Sequence, residues 1–142
     1  MTSIDFYFNA GDRLEVACRL AGKALQQKKR VLIYAPQPEL ATKIDRLLWT
    51  SQAVSFLPHC PAHDPLAAET PLLIAFDDSV PAHPCEILLN LAADCPPFFE
   101  RHERLLEIVA QDDEARSAGR ARFKFYRDRG YEIRNHDLAK AA

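Results

Sequence analysis

Arg116, Arg120, Phe123 and Arg127 are spaced four, three and four residues apart, with Lys124 beside them. At 100° per residue the four fall within roughly 60° of one helical face. Cations around a single aromatic ring suit two ligands. One is a carboxylate-rich peptide that also offers an apolar side chain, and the other is a nucleic-acid backbone with a stacked base. A solvated helix face with Phe123 tucked into the core has the same spacing. Charge distribution favours an anionic partner. Residues 114–134 hold seven Arg or Lys (Arg129 among them) against three carboxylates, a local net of +4, while the whole chain is at −2. Solubility alone rarely places a basic patch on an acidic protein.

Other reactive residue types lack the company that chemistry requires. His59-Cys60-Pro61-Ala62-His63-Asp64 has zinc-ligand types but no second pair at a usable spacing, and reads as a polar loop. His83 and Cys85 flank Pro84, and no local pattern marks any thiol as an activated nucleophile. Asp77-Asp78 and Asp112-Asp113 could hold Mg²⁺, but read first as turn and cap residues. The chain has four glycines and neither a dinucleotide fingerprint nor a P-loop, so no loop wraps phosphates with backbone amides. No catalytic, cofactor or metal site is expected. Trp49 and Phe56 are a second feature: two aromatics at the end of a helix and just beyond it, suited to capping the core or to anchoring a partner protein.

The elements that must position these residues follow from periodicity. Ile4–Phe8 has β character and is ended by Asn9-Ala10-Gly11-Asp12. Asp12 caps a helix whose apolar positions run from Leu14 to Leu25, closed by Gln26-Gln27-Lys28-Lys29-Arg30. Val31–Ala35 is a continuous apolar run, the pattern of a strand buried on both faces of a parallel sheet. Pro36 and Pro38 precede a helix over Glu39–Trp49. The Pro-rich stretch from Ser55 to Pro71 reads as extended loop or edge. Leu72–Phe76, Glu86–Leu91 and Leu105–Val109 are strands, Phe98–Glu103 a short helical piece, and Asp113–Arg129 the last helix, ended by Gly130. Residues from Tyr131 read as a tail with a short extended start. The alternation predicts one α/β domain over residues 1–142, a tail beginning after about residue 134, with an open, mostly parallel, Rossmann-like sheet and helices on both faces. No apolar run reaches 18 residues and no signal peptide is evident, so four reduced cysteines in a cytoplasm are expected.

Four segments together carry a family likeness. They are Ile4-Asp5-Phe6-Tyr7, Lys29-Arg30-Val31-Leu32-Ile33, Leu48-Trp49-Thr50 with Ser55-Phe56-Leu57-Pro58-His59, and Arg122-Phe123-Lys124-Phe125-Tyr126-Arg127 with Gly130-Tyr131. On these the chain resembles the chi subunit of bacterial DNA polymerase III holoenzyme over nearly its whole length. The resemblance implies a small non-catalytic accessory subunit, associated with the clamp loader in DNA replication. It would bind the acidic, Phe-terminated C-terminal tail of single-stranded DNA-binding protein and meet nucleic acid mainly indirectly. Carried over by position, Val109, Arg116, Arg120, Phe123 and Lys124 would form the tail pocket. Trp49 and Phe56 would face a psi subunit, or a helicase-type competitor for the same surface. Two positions depart from the family pattern: Arg116 stands where relatives can have Lys, and Phe123 where they can have Tyr. The alternative is direct binding of single-stranded nucleic acid by the basic helix.

Overall fold

A computed structural model describes residues 2–51, 58–77 and 85–139. Seven strands form one parallel sheet: β1 (Ser3–Ala10), β2 (Val31–Tyr34), β3 (His59–Pro61), β4 (Leu72–Ala75), β5 (Ile87–Asn90), β6 (Arg104–Ala110) and β7 (Ile133–Asp137). Their spatial order is β3-β4-β2-β5-β6-β1-β7. The helices are α1 (Arg13–Gln26), α2 (Pro38–Thr50) and α3 (Asp113–Asp128), with 3₁₀ turns at Ala67–Glu69 and Phe99–Arg101.

Side-chain alternation along the strands builds two cores. Val31, Ile33, Leu72, Ile74, Ile87, Leu89, Leu106 and Ile108 face α1 and α2, meeting Val16, Ala17, Ala21, Ile44 and Leu48. Leu32, Leu73, Leu88, Leu105 and Val109 point the other way, towards Phe99 and the α3 residue Tyr126. This is the three-layer α/β architecture predicted from β-α-β-α alternation, and all the strand pairs described are parallel. Central strands covered on both faces bury side chains of both orientations, hence the unbroken apolar runs of β2 and β4.

The cap residues behave as their chemistry requires. Asp12 accepts from the N–H groups of Leu14 and Glu15, and Asp112 from that of Ala115. Gly130, at φ +83°, follows the end of α3. There its N–H donates to the Arg127 carbonyl, and that of Tyr131 to Tyr126, a Schellman closure.

Two segments differ from expectation. β1 does not stop at Phe8: it bulges at Asn9, which takes φ +62°, and continues to Ala10. The expected tail is instead paired from Ile133 to Asp137 with Ile4–Phe8, forming the sheet's edge strand. Arg134 and His136 from β7 hold the buried Asp5 carboxylate at 3.1 and 2.9 Å, joined by Arg104 at 2.9 Å. Burial would raise the Asp5 carboxyl, but these partners hold it below the usual carboxylate value. An edge strand recruited by ion pairs carries little of the apolar alternation that marks a strand in sequence.

Candidate functional site

The inner face of α3 is fixed before its outer face can act. Glu107 on β6 is fully buried beneath the helix, where its carboxylate accepts from Arg122 Nε at 2.9 Å, Tyr126 Oη at 2.6 Å and Asn90 Nδ2 at 3.1 Å. Arg122 Nη1 also donates to the Ala93 carbonyl at 2.8 Å. Burial pushes the Glu107 carboxyl up, against the pull of Arg122, Tyr126 and Asn90. Arg122 is therefore not part of the basic surface that its place in the sequence suggested. Gly119 lies flat on β6: a Cβ there would sit 2.8 Å from Val109 Cγ2. This close approach requires glycine.

With that face anchored, α3 presents Arg116, Arg120 and Phe123 towards β1. Together with Phe6, Phe8, Asn9, Val109, Gly119 and the β7 residue Asn135 they line a cleft of about 290 Å³. Its floor is apolar, with Phe123 half-buried and edge-on to Phe6 at 5.4 Å between centroids. Its rim is cationic. Among the described residues, none of Arg116, Arg120 and Lys124 pairs with a carboxylate, whereas Arg122, Arg127 and Arg134 do. Arg116 Nη2 donates weakly to Asn9 Oδ1 at 3.4 Å, and Asn9 Nδ2 donates to Asp137 at 2.8 Å. Arg120 Nε lies 3.4 Å from the Arg116 carbonyl. An open apolar cleft bordered by uncompensated guanidinium groups fits a ligand that is both aromatic or aliphatic and anionic.

Four of the five residues expected at this site, Val109, Arg116, Arg120 and Phe123, line the cleft; Lys124 is exposed and lies outside its lining. Arg127 pairs with Asp128 at 3.3 Å, and Arg129 lies over the Phe125 ring, so the rest of the basic stripe does not reach the cleft. Phe6, Phe8, Asn9 and Asn135 were not legible as site residues, because β1 and β7 approach α3 only in the folded sheet. Gly119 did carry a signal: a glycine inside a helical pattern points to close packing.

Trp49, at the end of α2, is 55 % exposed. Its ring lies 4.2 Å from that of His59, whose Nε2 is 3.0 Å from the Asp45 carboxylate. Phe56, its expected companion, lies outside the described residues, as do Ser55, Leu57, Asp78 and His83. Burial pushes the Cys18 and Cys85 thiols up to about 11, so both are protonated at neutral pH and poor nucleophiles. Among the described residues no three His, Cys, Asp or Glu side chains are grouped to hold a metal, and no helix is long and apolar enough to cross a membrane.

The same sequence is matched over residues 1–134 by the family model of the DNA polymerase III chi subunit, HolC. It is 33 % identical to the DNA polymerase III subunit chi of Pseudomonas aeruginosa, with 99 % of each chain covered. The protein of the same name from Haemophilus influenzae is 27 % identical, over 87 % of this chain and 86 % of the relative. That of Escherichia coli is 27 % identical, over 84 % and 81 %. A match that runs from the first strand into the edge strand takes in every described residue of the cleft except Asn135, which the match to the Pseudomonas relative spans at 99 % coverage, and on that ground the chain belongs to the chi-subunit family of DNA polymerase III, an accessory subunit of the replication machinery.

Proposed function

We propose that this chain is a non-catalytic adaptor whose α3 cleft binds the acidic, Phe-terminated tail of single-stranded DNA-binding protein, linking it to the clamp loader. The observation that carries this reading is the pairing of an apolar floor with two rim guanidinium groups, Arg116 and Arg120, that have no carboxylate of their own among the described residues. A tail ending in Phe brings a ring for Phe6, Val109 and Phe123, and carboxylates for the rim. Lys124, one position beyond, adds long-range attraction that salt would screen. Trp49, exposed at the end of α2, would with Phe56 serve a second partner, psi or a helicase-type competitor. The protein would work in the cytoplasm, as one domain with no turnover of its own.

Titration with a fluorescent acidic peptide ending in Phe, at low and moderate salt, tests this. Arg120→Ala is expected to cost on the order of 1–3 kcal/mol of binding, as for a lost charge-assisted hydrogen bond. Trp49→Ala should leave peptide binding intact. Binding of a labelled single-stranded oligonucleotide, with none of the peptide, would transfer the basic rim to nucleic acid instead.

A further inference from the structure

The cleft opens beside the free edge of the sheet, and the phase of the β1–β7 ladder decides what that edge offers. The Ile4 N–H donates to the Glu132 carbonyl at 3.0 Å, and the Leu138 N–H to the Phe8 carbonyl at 3.0 Å. In a parallel ladder, main-chain groups alternate between the two sides. Arg134 and His136 therefore turn their N–H and C=O groups towards β1, while Ile133 and Asn135 turn theirs outwards, where no further strand follows β7 among the described residues. Asn135 also lines the cleft through its side chain. A free donor and acceptor thus stand at the mouth of the pocket, on the same residue.

Charge reinforces the geometry. Side chains of an added strand would alternate between the two faces of the sheet. On the α3 face they would meet Arg116 and Arg120. On the other face they would meet Arg134 and His136, each roughly half exposed although held to Asp5. An extended peptide with carboxylates at successive positions is matched on both sides. Neighbouring strands lie about 4.8 Å apart, so an added strand would run about 10 Å from the β1 floor. One residue of extended chain plus an aromatic side chain spans about that distance.

Building on the tail reading above, we propose that the tail binds by strand addition. The residues preceding its terminal aromatic pair with the main chain of Ile133 and Asn135, and the terminal residue crosses β7 into the cleft. Main-chain pairing then supplies affinity and the cleft supplies selectivity, as in other edge-strand recognition. It also gives this edge a use: unpaired edge strands are otherwise a hazard that folds suppress.

The probe is a synthetic acidic peptide ending in Phe, unmodified and with single N-methyl groups at successive amides. Strand addition predicts a loss of at least about fivefold in affinity at alternate N-methyl positions and little loss between them. By amide exchange, Ile133 and Asn135 should slow at least about tenfold on binding. Asn135→Pro should weaken binding at least about fivefold more than Asn135→Ala, because Pro is tolerated at an edge yet removes the outward N–H. If Asn135→Pro does not fold, exchange and N-methylation still decide. Peptide binding with unchanged exchange at both amides and uniform tolerance of N-methyl groups would overturn strand addition and leave the tail reading standing. No binding of the unmodified peptide would overturn both.

Discussion

Replacing Arg122 with Met separates what anchors α3 from what the helix displays. Arg122 is 5 % exposed and its partner Glu107 fully buried, 2.9 Å apart. Met keeps most of the volume but leaves Glu107 with only two neutral donors, Tyr126 and Asn90, and the Ala93 carbonyl without its guanidinium. Breaking a buried pair from one side costs about 3–5 kcal/mol. Against a total stability of about 5–15 kcal/mol for an ordinary domain, that is a large fraction. Urea unfolding of wild type, Arg122→Met and the double variant Glu107→Leu/Arg122→Met reads it directly. The double variant removes the stranded charge together with its partner, so it should lose less stability than the single one. The single variant also has a pH signature. With Arg122 gone, the Glu107 carboxyl rises further above its unfolded value of about 4.3. The penalty therefore grows as pH rises through the raised folded value and shrinks as pH falls towards the unfolded one. A loss under about 1 kcal/mol in Arg122→Met, or a double variant less stable than the single, would refute the view that an ionised, paired Glu107 holds the helix.

Two further outcomes follow from the packing around the site. Gly119→Ala gains about 1 kcal/mol of helix propensity but forces a methyl to within 2.8 Å of Val109, an overpacking that costs about 1–3 kcal/mol. A net loss of up to about 2 kcal/mol and weaker peptide binding are expected by urea unfolding and peptide titration; a stabilised variant with unchanged binding would show that α3 does not need this approach. His102 is buried, with Nδ1 donating to the Cys85 carbonyl at 2.9 Å, and burial holds its pKa below the usual value. Its folded pKa is depressed, so its contribution is present above the unfolded value of about 6.5 and is lost as pH falls through the folded one. Between pH 7.5 and 5 the melting temperature of wild type should fall more steeply than that of His102→Gln, and parallel slopes would exclude this.

Local sequence determined the elements whose formation rests on local chemistry. Val31–Tyr34 and Leu72–Ala75 are apolar at every position, which only a strand covered on both faces requires, and that pattern announced a parallel α/β sheet. Asp12, Asp112 and Gly130 marked helix ends because caps act within a few residues. The 3.6-residue repeat placed Arg116, Arg120 and Phe123 on one face. Tertiary structure alone decided which of the C-terminal cations are available to a partner. Arg122 and Arg120 look alike in the chain, yet one is paired beneath the helix with a residue fifteen positions earlier and the other has no carboxylate partner among the described residues. It also decided that Ile133–Asp137 is a strand, because that segment is held by main-chain pairing to β1 and by Asp5, more than a hundred residues away. The floor of the cleft has the same origin: Phe6, Phe8 and Asn135 reach it through sheet order, which depends on contacts distant in sequence and leaves no local periodicity to read.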